Sequence, residues 1–139
     1  MLGIFLVITQ FLLIIFISIL GLVHGQTTIA RNILLVIGIA VGIMALYSMK
    51  FSMSVLPKPK KGQGLIENGI YKFVRHPAYL GVLIFTASFI CSWHTFVLWI
   101  FLFGILFLKM KIEEKMLQDK FAEYKDYKKR TKMLVPFII

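Results

Sequence analysis

Between Pro77 and Leu108 the chain runs for 32 residues without a charge. A helix crosses the ~30 Å hydrocarbon core of a bilayer in about 20 apolar residues. The run is therefore overlong for one upright span and fits two short ones joined near Ser92-Trp93-His94-Thr95. Two more uncharged runs precede it, Leu2 to Val23 and Ile33 to Met49. Leu2 to Val23 reads as a span rather than a signal peptide, because it lacks a basic leader and a small-residue cleavage site. In the second, Lys50 can snorkel while the helix continues towards Leu56. With 59% hydrophobic residues and a mean hydropathy of +0.86 over 139 residues, the chain reads as one small integral membrane domain, not a soluble one.

Charge decides how the long run is divided. Of 16 basic residues, six lie between Lys50 and Arg75 and nine between Lys109 and Lys132. One crossing would put these clusters on opposite faces. Two crossings put both on the cytoplasmic side and leave Arg31 outside, as the positive-inside rule prefers. The expectation is an all-α protein with four transmembrane helices, both termini cytoplasmic, and an amphipathic C-terminal helix. Residues 1–56 form two spans, 57–76 a loop, 77–108 a helical hairpin, and 109–139 a tail helix ending in an apolar anchor, Val135 to Ile139. The net charge of +10 follows apolar runs, so anionic lipid is the expected partner and nucleic acid is not. A lone Cys91 excludes an internal disulfide. His24, His76 and His94 lack ligand spacing, so no metal is expected.

The polar stretch Gly62 to Gly81 carries the chemistry. Pro77 suits the first turn of a helix, where its missing N–H would be unpaired anyway. Arg75 and His76 then end the loop beside a helix start whose free N–H groups favour an anion. If the hairpin forms, Arg75-His76-Pro77-Ala78-Tyr79 meets Ile112-Glu113-Glu114 at one membrane face. Taken singly, each residue has a plainer role. Arg75 can anchor the loop, His76 can cap the helix, the glutamates can pair with lysines along their helix, and Tyr71, Tyr124 and Tyr127 can pack. Gly62-Gln63-Gly64 is too weak for a nucleotide fingerprint, since no strand precedes it.

Taken together, Gly69-Ile70-Tyr71, Arg75-His76-Pro77-Ala78-Tyr79-Leu80-Gly81, a hairpin, then Glu113-Glu114, Leu117, Phe121, Tyr124, Tyr127 and Pro136 form a more specific set. It resembles the isoprenylcysteine carboxyl methyltransferase family and the related membrane phospholipid methyltransferases, over about residues 62 to 139. The resemblance implies an S-adenosylmethionine-dependent integral membrane methyltransferase with the cofactor held at the cytosolic side. By position, His76, Tyr79, Leu80, Gly81, Tyr71 and Glu113 would line the cofactor site. Glu113, Glu114 and Arg75 would serve the reaction, and Arg130, Lys132 and Tyr127 the substrate. Two positions depart from the family pattern. Ala122 stands where a glycine is usual, and Met133 where an arginine commonly precedes the late proline, leaving Lys132 and Arg130 as the nearest cations. The acceptor stays open among a lipophilic carboxylate, an amine, a thiol and a phospholipid headgroup. A short chain also suggests a substrate chamber that is either reduced or completed by a second copy in a homo-oligomer. An inactive membrane adaptor of the same fold and a sterol-type membrane reductase are the competing functions.

Overall fold

The computed structural model describes residues 2–49, 65 and 67–134. In chain order these form α1 (Leu2–His24), α2 (Ile29–Ser48), a 3-10 turn at Gly69–Lys72, α3 (Pro77–Ala87), α4 (Trp93–Lys120) and α5 (Tyr124–Arg130). No strand occurs among the described residues, although Val74 and Lys132 form one isolated parallel bridge. The expected extension of α2 towards Leu56, the Lys50 snorkel, Gly62-Gln63-Gly64 and the anchor from Val135, with Pro136, lie outside the described residues.

Local chemistry sets the helix ends. The Thr28 hydroxyl caps α2 by accepting the Arg31 N–H at 3.1 Å. Arg31 then reaches back to the Gly21 and Gly25 carbonyls at the C-terminal end of α1. Ser92 opens α4 with a capping box in which Ser92 Oγ accepts the Thr95 N–H and Thr95 Oγ1 accepts the Ser92 N–H. Pro77 begins α3 as expected, but His76 makes no capping hydrogen bond with its side chain.

Three helices, α1, α2 and α4, are long and apolar enough to cross a membrane. The fourth expected span differs. α3 has 11 residues, about 16 Å at 1.5 Å per residue, half of the hydrocarbon thickness. It ends at Ala87 because the chain turns through Ser88 to Cys91 into the Ser92 cap, so the joint falls earlier than expected. Ser88 and Phe89 are buried, which shields this non-helical backbone from lipid.

The tail also departs from expectation. A single amphipathic helix from Lys109 to Lys132 would keep Leu117, Phe121 and Tyr124 on one face. Instead α4 stops at Lys120, Phe121 takes an extended conformation (φ −123°, ψ 116°), and α5 is a separate element of 7 residues. The fold-back is held by backbone pairing. Lys132 N–H donates to Phe73 O (3.1 Å), Arg75 N–H to Lys132 O (2.8 Å) and His76 N–H to Met133 O (3.1 Å).

Packing follows from small residues as well as apolar ones. α3 lies on α2 at Gly81, where an added Cβ would stand 2.9 Å from Gly42 N and 3.1 Å from Gly38 O. Gly38 and Gly42 are four apart, the small-residue spacing that lets helix backbones approach in lipid. α1 packs on α4, and Ile17, Leu83, Phe89, Leu102, Leu106 and Met110 fill the common core. The outer faces of α1, α2 and α4 expose Phe5, Leu12, Ile19, Val36, Ile43 and Phe101, a surface suited to lipid rather than water.

Candidate functional site

The α3 start and the second half of α4 come together across more than 30 residues of sequence. Arg75 Nε donates to Glu114 Oε1 at 2.7 Å, and Tyr79 Oη donates to Glu113 Oε2 at 3.2 Å. His76 lies between the two acids. Its Nδ1 is 3.7 Å from Glu113 Oε2 and its Nε2 is 3.7 Å from Glu114 Oε1, within ion-pairing range but beyond a hydrogen bond. Neither buried His76 Nε2 nor buried Tyr124 Oη has a hydrogen-bond partner among the described residues. The His76 and Tyr79 rings are 5.6 Å apart.

The two glutamates differ. Glu114 is buried and compensated, taking Arg75 on one oxygen and Lys128 Nζ on the other at 3.0 Å. Such pairing is what makes an ionised buried carboxylate tolerable. Glu113 keeps 30% of its side chain exposed and meets only Tyr79 and His76 at close range among the described residues. It is the acid left partly open, and Glu114 is the one closed into the fold.

The other expected residues divide. Tyr71 and Tyr127 belong to the surrounding frame, since Tyr127 Oη donates to Tyr71 O at 2.7 Å. Burial holds both phenols, and that of Tyr124, above their ordinary pKa; the Glu113 charge adds to this at Tyr71. They therefore stay neutral at physiological pH. Leu80 packs against the apolar core and Gly81 against α2, each turned to its neighbours. Arg130 reaches Glu67 Oε2 at 3.2 Å on an exposed face. Lys132 contributes its backbone to the pairing with residues 73–75, while the residue itself is exposed.

Sequence reasoning missed three participants. Lys128 and Thr131 hold Glu114 and Arg75, the latter through the Thr131 carbonyl, but only because α5 folds back. Lys109 is buried, donates to Gln10 Oε1, and sits 5.3 Å from the Tyr79 ring centre. Two signals pointed to it: a lone amide in the apolar run of α1, and a lysine one helical turn before Glu113.

The chain matches the isoprenylcysteine carboxyl methyltransferase (ICMT) family over residues 31–119. It belongs to that family. The match begins at Arg31, so all of α2 but its first two residues lies inside it although the sequence showed no signature there. A Saccharomyces cerevisiae protein-S-isoprenylcysteine O-methyltransferase is 31% identical over 118 residues, covering 80% of this chain and 49% of the relative. A Bradyrhizobium diazoefficiens methanethiol S-methyltransferase 1 is 38% identical over 71 residues, 49% of this chain and 25% of the relative. The chain thus spans about half of the yeast protein and a quarter of the bacterial one. No solved structure matches.

The donor set suits S-adenosylmethionine, the methyl donor the family implies. That molecule carries a carboxylate, an ammonium, a ribose diol and a sulfonium. The partly exposed Glu113 complements the ammonium or the diol, the α3 start complements the carboxylate, and the aromatic face of Tyr79 complements the sulfonium. The unpartnered Nε2 of His76 adds a hydrogen-bonding atom at the same place.

Proposed function

We propose that the chain is an integral membrane methyltransferase that uses S-adenosylmethionine and acts on a lipophilic acceptor reaching the site from the bilayer. The observation that carries this reading is the meeting of the His76–Tyr79 helix start with Glu113 at the foot of an apolar bundle. His76, Tyr79 and Glu113 would hold the cofactor. Bound there, the cofactor supplies an activated methyl group on a sulfonium. The protein's own part is to hold the nucleophile in line and to exclude water, which for a displacement of this kind is most of the catalysis. Glu114, Arg75 and Lys128 fix the position of Glu113 and His76.

In the same reading the basic loops face the cytoplasm with both termini, and bilayer lipids are the surrounding partners. Isothermal titration with S-adenosylhomocysteine in detergent tests the proposal. Wild type is expected to bind. His76→Ala and Glu113→Gln are each expected to weaken binding by ~10-fold or more, the loss of one or two charge-assisted contacts. Silence in wild type, or unchanged affinity in both variants, would remove this reading.

A further inference from the structure

We propose that Lys109 receives the methyl acceptor as an anion, a thiolate or a carboxylate, on the apolar side of Tyr79. The inference rests on the methyltransferase reading above and names the residue that selects its acceptor by charge. Lys109 is 2% exposed and sits in α4 beside the core residues Leu106 and Met110. No carboxylate lies within 4.0 Å of its ammonium among the described residues. Its contacts are the Gln10 amide oxygen and the face of Tyr79. The Glu113 charge reaches it only from beyond 4.0 Å, so no direct ion pair offsets the cost of burying the ammonium inside an apolar bundle, and such residues as a rule serve a ligand.

Three cations of the polar end are otherwise engaged. Arg75 and Lys128 are held by Glu114, and Arg130 by Glu67. Tyr79 links Lys109 to the polar cluster, since its ring faces the ammonium while its hydroxyl donates to Glu113. An anion drawn to Lys109 would therefore sit next to the cofactor-holding residues and away from water. The names of the two relatives fit this chemistry. One is named for transfer to oxygen and the other for transfer to the sulfur of methanethiol, and an acidic O–H or a thiol is nucleophilic once deprotonated.

The step balances without an acid or a base. A lone pair of the acceptor anion forms the bond to the methyl carbon. The carbon–sulfur bond of the sulfonium donor breaks, and its electron pair stays on sulfur. One negative and one positive charge disappear, giving a methyl thioether or ester and a neutral thioether. The product no longer attracts Lys109, which favours its return to the bilayer.

Paired ligands test the assignment by calorimetry in detergent with S-adenosylhomocysteine present: N-acetyl-S-decylcysteine against its carboxamide, and decanethiol against decanol at alkaline pH. Wild type is expected to prefer the acid in at least one pair by ~10-fold or more, and the pair that responds identifies carboxylate or thiolate. Lys109→Met should reduce the preference to within ~2-fold, and Lys109→Arg should keep it, with S-adenosylhomocysteine affinity within ~2-fold in both. If the methionine variant does not fold, Lys109→Gln is read in the same way. An acid preference that survives loss of the charge, or no preference in wild type for either pair, overturns the assignment while the cofactor reading stands. Absence of S-adenosylhomocysteine binding in wild type overturns both.

Discussion

Arg75 stands in the sequence motif as a candidate catalytic cation, yet its donors turn inward. Nε goes to Glu114, and Nη1 goes to the carbonyls of Lys128 and Thr131. Both it and Glu114 have nearly buried side chains, so removing one leaves the other without its main partner. Arg75→Ala is expected to destabilise the fold by ~3–5 kcal/mol, read as a lowered denaturant midpoint in detergent. Tyr127→Phe, which removes only the hydrogen bond to Tyr71 O, should cost about 1 kcal/mol in the same assay. The Arg75–Glu114 contact was legible in the sequence through the hairpin argument. The Lys128 and Thr131 contacts were not, because they depend on a reversal after Lys120. No proline or glycine occupies 120–123 to announce that reversal.

At the level of helices, the start of α3 was readable and its end was not. Pro77 marks a first turn from local chemistry alone. Ala87 to Cys91 contains no strong breaker, and the capping box that opens α4 uses Thr95 where the usual signature has glutamate or glutamine. The seating of α3 on α2 likewise depends on Gly38 and Gly42, to which the sequence reading gave no role, and on Gly81. Gly81 stands in the motif as a cofactor-lining residue, but it also sets the distance between two helices. At Gly38 an added Cβ would lie 2.5 Å from Phe85 N, a backbone atom that cannot swing aside. Gly38→Leu should therefore displace α3 and cost ~1–3 kcal/mol or more, with weakened S-adenosylhomocysteine binding, although Gly38 is not among the residues proposed to hold the ligand. Unchanged melting and affinity in that variant would show that the helix contact does not position the site.

Over the whole molecule, the polar end is a small aromatic and ionic core outside the apolar bundle. Tyr71, Tyr124 and Tyr127 are buried there with raised pKa values. Below their ordinary value of 10.0, folded and unfolded chains both keep the phenol protons. As pH rises above that value the unfolded chain releases them first, so stability should fall, by at most ~1.4 kcal/mol per pH unit for each phenol. A pH-dependent unfolding series should show a steep alkaline limb that flattens when Tyr124 is replaced by phenylalanine. The membrane character, the two basic clusters and the joining of His76 with Glu113 could all be argued from residue order. The division of labour between the acids could not, since it depends on which oxygen meets which cation after the tail returns.

The pairing of residues 131–133 with residues 73–76 has a consequence for biosynthesis. The backbone that presents Arg75 and His76 is completed by Lys132 and Met133, so the polar end cannot be finished until those late residues have left the ribosome. The apolar helices can enter the bilayer first, and a chain stalled after α4 would be inserted yet incompetent. Pulling on nascent chains of increasing length should therefore register a distinct final folding event well after insertion.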